Sequence, residues 1–263
     1  MGNQQVLKIA TLNLNGETWF SINRRPRLPQ KLFSIQSIKN ELTNLTKTGL
    51  ENLLKGGEYD VIAIQELIYS QNERNAIKTA IEGVTDASNK QVYKLLLPNN
   101  LAGNTHFTVG FIVKEQLCAE LKNENQEKNR ISVLELIINE KKYSIINMHV
   151  NNHNIAIPCV TGNTILLGDM NACTENQTTD KKAVNDDFLT RIVEAGWGEI
   201  GGNDNYTWIS NNVKRKLDHI YICNGSQKEE RKIVEVNTKV NFYYDEENGF
   251  TDHSMLVSTL DFD

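Results

Sequence analysis

The sequence predicts an α/β fold in which two mixed β-sheets pack face to face with helices on the outside. Three observations carry this. The chain opens with an apolar run, a segment of helical spacing and a second apolar run that ends in Gln65-Glu66, the pattern of a strand–helix–strand unit. Its middle third offers consecutive strand-like runs joined by short turns, so hairpins accompany the parallel pairing. Helical spacing returns at 70–81 and 185–196.

Taken in order, Leu7 to Leu12 reads as a short strand that stops at Asn13-Leu14-Asn15-Gly16. Trp19 to Gln30 is a loop holding Arg24, Arg25 and Arg27, fixed by Pro26 and Pro29. Leu32, Phe33, Ile35, Ile38 and Leu42 recur at helical spacing, continue weakly to Leu53-Leu54, and end before Gly56-Gly57. Tyr59 to Ile64 is a buried strand. Ser70 to Ile81 is a helix, and Gln91 to Leu97, Phe107 to Val113 and Ser132 to Ile138 are strands. Asn139-Glu140-Lys141-Lys142 turns the last of these into the strand ending at His149.

Between Asn151 and Asn163 there is no helical stripe long enough to cover a sheet, only Asn-Asn-His-Asn, Pro158 and Gly162. A covering helix is therefore expected to be missing, and an uncovered apolar patch there would call for self-association or for coverage by the Trp19–Gln30 loop. The run Ile165-Leu166-Leu167 enters Gly168-Asp169-Met170-Asn171, a buried strand delivering two oxygen-bearing side chains to a sheet edge. An Asp and an Asn two positions apart on an extended segment point the same way. The competing reading is an ordinary turn in which both side chains bond their own backbone. Phe188, Leu189, Ile192 and Val193 place a helix at 185–196.

The strand ends share one chemistry. Asn13, Gln65-Glu66, Asn147-Met148-His149, Asp169 with Asn171, Leu217-Asp218-His219 and Thr251-Asp252-His253 each border an apolar run. The ordered set Leu-Asn-Leu-Asn, Gln-Glu, Met-His, Gly-Asp-Met-Asn, Leu-Asp-His and Thr-Asp-His resembles the endonuclease/exonuclease/phosphatase superfamily of DNase I-like, metal-dependent phosphoesterases. The matches run from residue 13 to 253. The resemblance implies a four-layer α/β sandwich and a single catalytic domain spanning 1–263. It also implies Glu66 as the carboxylate for Mg²⁺, with Mn²⁺ as a substitute, and Asn13 and Asp252 completing or buttressing the metal environment. Asp169 and Asn171 would orient the attacking water and hold a phosphate oxygen, and His253 would face the scissile phosphate with its ring set by Asp218. His149 matches the nuclease and phosphatase branches. His219 points opposite to Asp218 on a strand and is expected to stand outside the site.

Composition narrows the substrate without choosing it. A net charge of −5 speaks against the basic stripe of a non-specific DNA binder. Local cations at Arg24, Arg25 and Arg27, and at Lys214, Arg215 and Lys216 beside Asp218, are nonetheless placed to contact phosphate; solvated loops are the alternative. Nucleic acid is the leading substrate, a small phosphorylated metabolite or lipid head group the second. A catalytically silent binding module is the third, disfavoured by the intact polar set. Cys118, Cys159, Cys173 and Cys223 form no C-x-x-C, so free thiols are expected rather than a disulfide framework or zinc site. Met1 to Leu12 lacks an apolar stretch of signal-peptide length and no segment matches a membrane span, so the expectation is a cytoplasmic product or a mature form whose signal was removed.

Overall fold

Leu7 and Ile9, Val61 and Ala63, and Phe111 and Val113 sit at alternate positions of three neighbouring strands, so one face of their sheet is apolar and must be covered. In a computed structural model of the chain that cover is a second sheet carrying Leu134, Leu136, Ile138, Tyr143, Ile145, Ile165, Leu167, Ile220 and Ile222. The structure describes all residues except 1–4, 15–34, 57, 69–70, 99–106, 123–129, 152–153, 160–161, 180–185, 203–204, 211–212, 224–232, 242–250, 252 and 263.

The strands are β1 (Gln5–Asn13), β2 (Val61–Ile68), β3 (Tyr93–Leu96), β4 (Phe107–Lys114), β5 (Ala119–Lys122), β6 (Ile131–Ile138), β7 (Lys141–His149), β8 (Thr164–Asp169), β9 (Trp197–Glu199), β10 (Trp208–Ser210), β11 (Val213–Arg215), β12 (Asp218–Cys223), β13 (Ile233–Asn241) and β14 (Met255–Phe262). One six-stranded sheet runs β13-β14-β1-β2-β4-β3 and the other β5-β6-β7-β8-β12-β9, while β10 and β11 form a separate ribbon. Each large sheet holds one parallel pair, β1 with β2 and β7 with β8, among antiparallel neighbours. The β6–β7 hairpin is tighter than expected. Asn139 and Glu140 alone form the turn, both at positive φ, and Lys141 and Lys142 already belong to β7.

The outer face of the first sheet, with Ala10, Leu12, Ile62, Ile64 and Val257, packs against α1 (Ile35–Leu54) through Leu50, Leu53 and Leu54 and against α2 (Gln71–Glu82) through Ile77 and Ile81. The outer face of the second, with Val133, Ile146, Met148, Leu166 and Tyr221, packs against Phe188, Leu189 and Ile192 of α3 (Asp187–Glu194). An eight-residue helix does not persist alone in water, and the three buried side chains contribute about 5–9 kcal/mol of gross burial that holds it.

No helix occurs among the described residues of 150–163. The apolar face there is nevertheless covered, because the segment folds Val150, Ile155 and Ile157 onto it. Arg191 donates to the Ile155 carbonyl at 3.3 Å and the Trp197 indole N–H to the Pro158 carbonyl at 3.0 Å, which hold the segment down. The expected uncovered patch is thus corrected, and with it the argument for self-association; the Trp19–Gln30 loop lies outside the described residues. Cys118, Cys159, Cys173 and Cys223 form no disulfide. No helix among the described residues is long and apolar enough to cross a membrane.

Candidate active site

Parallel strands deliver their C-terminal ends to the same sheet edge, and antiparallel neighbours deliver their N-terminal ends there. Asn13 ends β1 and pairs in register with Gln65 of β2, while His149 ends β7 opposite Asp169, which ends β8. Asp218 begins β12 opposite the same Asp169, and His253 lies two residues before β14. The two sheets pack so that these ends form one cluster.

Gln65 and Glu66 together stand opposite the single residue Val109, a β-bulge in β2. Glu66 takes φ +53°, a left-handed conformation costly for a non-glycine residue, and the bulge turns its carboxylate into the cluster. A bulge orphans backbone carbonyls, and the opposite sheet satisfies them. Buried Asn147 donates from Nδ2 to the Ile64 and Gly110 carbonyls at 2.9 and 2.8 Å and accepts from Gln65 Nε2 at 2.7 Å. Gln65 also bonds Thr11.

At the centre, Asn13 Nδ2 donates to Glu66 Oε1 at 3.1 Å and to Asp169 Oδ2 at 2.7 Å. His149 Nε2 lies 3.3 Å from Glu66 Oε1 and 3.9 Å from Asp169 Oδ2. Glu66, His149 and Asp169 offer atoms that all fall within 4.8 Å of one another, close enough to share one cation. Asp169 also accepts from the Asn171 backbone N–H at 2.8 Å and from Asn171 Nδ2 at 3.3 Å. Asn171 follows the strand at φ +49°, so a turn and not strand alternation joins the pair. Asp169 Oδ1 thus makes the local turn bond, while Oδ2 is shared between Asn13 and Asn171.

Asp218 Oδ2 accepts from His253 Nδ1 at 2.8 Å. Thr207 Oγ1 accepts the Leu217 and Asp218 amides at 3.0 Å each, and Thr251 accepts the His253 amide at 3.1 Å while donating to the Asn13 carbonyl at 2.6 Å. Asp218 Oδ1 is buried with no hydrogen-bond partner. Burial raises the Asp169 carboxyl above its ordinary range; the His253 and His149 imidazoles and the Asn171 amide pull it down, while Asp218 adds to the rise.

The basic residues divide. Arg24, Arg25 and Arg27, and the metal candidate Asp252, lie outside the described residues. Lys214 is exposed on β11, and the Arg215 guanidinium stacks 5.2 Å over the Trp208 ring, with Trp208 bridged to His253. Lys216 does not face phosphate as expected. It is fully buried, with Nζ 2.6 Å from Glu199 Oε1, which also lies 2.6 Å from His219 Nδ1; His219 Nε2 bonds the Ala172 carbonyl at 2.9 Å. His219 thus stands outside the cluster and braces the turn that carries Asn171. Sequence patterning missed this brace, the Asn147–Gln65 bridge and Arg130 beside His149, because long-range register makes each of them.

A model of the endonuclease/exonuclease/phosphatase family matches residues 10–253. The chain belongs to that family. Its members hydrolyse phosphoester bonds, and the chain is a hydrolase of that class. No curated protein sequence matches significantly. Among solved structures, the fold resembles the endonuclease domain of TRAS1, a telomere-specific non-LTR retrotransposon, with TM-score 0.58, 13% identity and coverage of 97% of this chain and 98% of that one. It also resembles D. rerio TDP2 complexed with a single-strand DNA product, with TM-score 0.60, 15% identity and coverage of 97% and 99%. A family protein from Leptotrichia buccalis gives TM-score 0.57 at 17% identity over 97% and 100%. At these identities the likeness is one of fold, a DNase I-like pair of packed mixed sheets.

Proposed function

We propose that the chain is a Mg²⁺-dependent phosphodiesterase that cuts nucleic acid, DNA foremost. The observation that carries this reading is the single buried cluster in which Asn13, Glu66, His149, Asp169, Asp218 and His253 meet at one sheet edge. Its donors suit a hard cation, since Glu66 and Asp169 present carboxylate oxygens within 4.8 Å of one another and Mg²⁺ prefers oxygen ligands. Burial of Asp169 is costly to its charge, and a cation beside it offsets that cost. Glu66 and Asp169, with Asn13 and Asp252 in support, would hold Mg²⁺ or Mn²⁺, which neutralises charge on the phosphoryl oxygens.

The chain's own residues supply the rest. Asp169 and Asn171, tied to it, orient the attacking water. With Nδ1 committed to Asp218, His253 meets a phosphoryl oxygen through Nε2, and His149 binds from the other side. Trp208 and Arg215 beside His253 offer a stacking face and a phosphate fork, and Lys214 lies on the same ribbon; this favours a polymeric substrate. The absence of a helix in the described part of 150–163 supports an open approach on the His149 side. A net charge of −5 keeps a small phosphoester as the second reading.

Incubating the purified chain with Mg²⁺ and supercoiled plasmid, RNA or a small phosphodiester separates these readings. Plasmid nicking is the expected result; turnover of the small ester alone would replace nucleic acid with the second reading.

A further inference from the structure

Arg130 immediately precedes β6, where Ile131 pairs with Met148, and its backbone carbonyl accepts the His149 amide at 2.9 Å. Register therefore places the Arg130 side chain beside the imidazole, and its NH1 atom lies 2.5 Å from His149 Nδ1. A guanidinium only donates, so Nδ1 must be the accepting nitrogen of the ring. A neutral imidazole that accepts at Nδ1 carries its hydrogen on Nε2. His149 is 2% exposed, and its Nε2 is buried with no hydrogen-bond partner although Glu66 Oε1 stands 3.3 Å away. Buried polar atoms without partners are rare, and this one adjoins the carboxylates of the active site.

We propose that Arg130 is a positioning residue that holds His149 with its hydrogen on Nε2, so that the imidazole meets the substrate as a hydrogen-bond donor and is not a metal ligand. The inference rests on the phosphodiesterase reading for what the donor meets, an anionic phosphoryl oxygen, but the tautomer itself follows from the Arg130 contact alone. It divides the apparent three-residue cation cluster. Glu66 and Asp169 face the cation with oxygen, while the Nε2 lone pair that a metal would need is occupied by hydrogen.

The test is multiple-bond ¹H–¹⁵N NMR of the full chain labelled at histidine, with His149 assigned through His149→Gln, recorded well above the ordinary imidazole pKa of about 6.5. The expected spectrum shows a protonated Nε2 and a bare Nδ1, and Mg²⁺ leaves the Nε2 signal in place. Arg130→Met should populate the Nδ1–H form and lower kcat on a small phosphodiester by roughly 10- to 100-fold, the scale for losing an outer partner of an active-site group, with KM held. Arg130→Lys, which keeps a donor, should recover the Nε2–H form. A wild-type ring protonated at Nδ1, or an Nε2 signal moved to a metal-bound position by Mg²⁺, would overturn the proposal even if phosphoesters are turned over normally. The Nε2–H tautomer in a chain that hydrolyses no phosphoester would instead sink the functional reading and leave the Arg130 contact standing.

Discussion

His253 and Asp218 are separated by 35 positions and joined by one 2.8 Å hydrogen bond, itself backed by Thr207 and Thr251. Two residues that act through one contact lose their effect together. His253→Ala and Asp218→Asn should each cut activity severely, and the double variant should be little worse than the worse single one. Kinetics of all three variants check this; losses that multiply would mean the two side chains work independently. Glu199 tests the brace behind the site. Burial opposes its ionisation, but His219 and Lys216 outweigh burial and hold its carboxyl down at about 2. The folded value lies below the unfolded value of about 4.3, so Glu199 contributes stability that is complete above that pH and is lost as pH falls toward 2. Glu199→Gln should cost about 3–5 kcal/mol at neutral pH by stranding buried Lys216. It should also flatten the acid limb between about pH 4 and 2. Denaturant melts at several pH values measure both, and an unaltered acid limb would contradict the assignment.

At the scale of elements, β8 shows what sequence patterning reaches and where it stops. Three apolar residues running into Gly-Asp were legible as a buried strand, and β1, β2, β7, β12 and β14 were legible in the same way, each with a polar residue bordering its apolar run. The bulge that re-aims Glu66 was not, because it depends on two residues of β2 meeting one residue of β4. Lys216 was misread for a related reason: a lysine beside other cations looks solvated until β9 brings Glu199 against it. Gly168 has its own long-range cause. It sits at φ +138°, and a Cβ there would stand 1.9 Å from the Met148 carbonyl of the parallel partner strand. Gly168→Ala must therefore push β7 and β8 apart beneath His149 and Asp169. A cost of about 3 kcal/mol is expected for such overpacking in a strained backbone. For a chain of this size that is roughly 6–12 °C in Tm. A thermal melt matching the parent would show that the strands yield at no cost.

Across the whole molecule, two sheets with few helices serve to bring six strand ends to one edge, and the apolar contact between the sheets holds those ends fixed against each other. The proposed catalytic groups lie on strands or within two residues of one, and a buried Asn147–Gln65 bridge ties one sheet to the other beside them. Such a scaffold positions charge for phosphoester hydrolysis. The cation proposed at Glu66 is the point at which fold, site and function meet. The most direct measurement is plasmid nicking by the purified chain and by Glu66→Gln, each with Mg²⁺ and with chelator. Glu66→Gln preserves side-chain volume and removes the charge, so nicking should fall by at least ~100-fold, the scale of one lost electrostatic stabiliser, and chelator should abolish the parent activity. Nicking that survives chelation, or near-parental activity of Glu66→Gln at limiting Mg²⁺, would contradict a metal-assisted phosphodiesterase centred on this cluster.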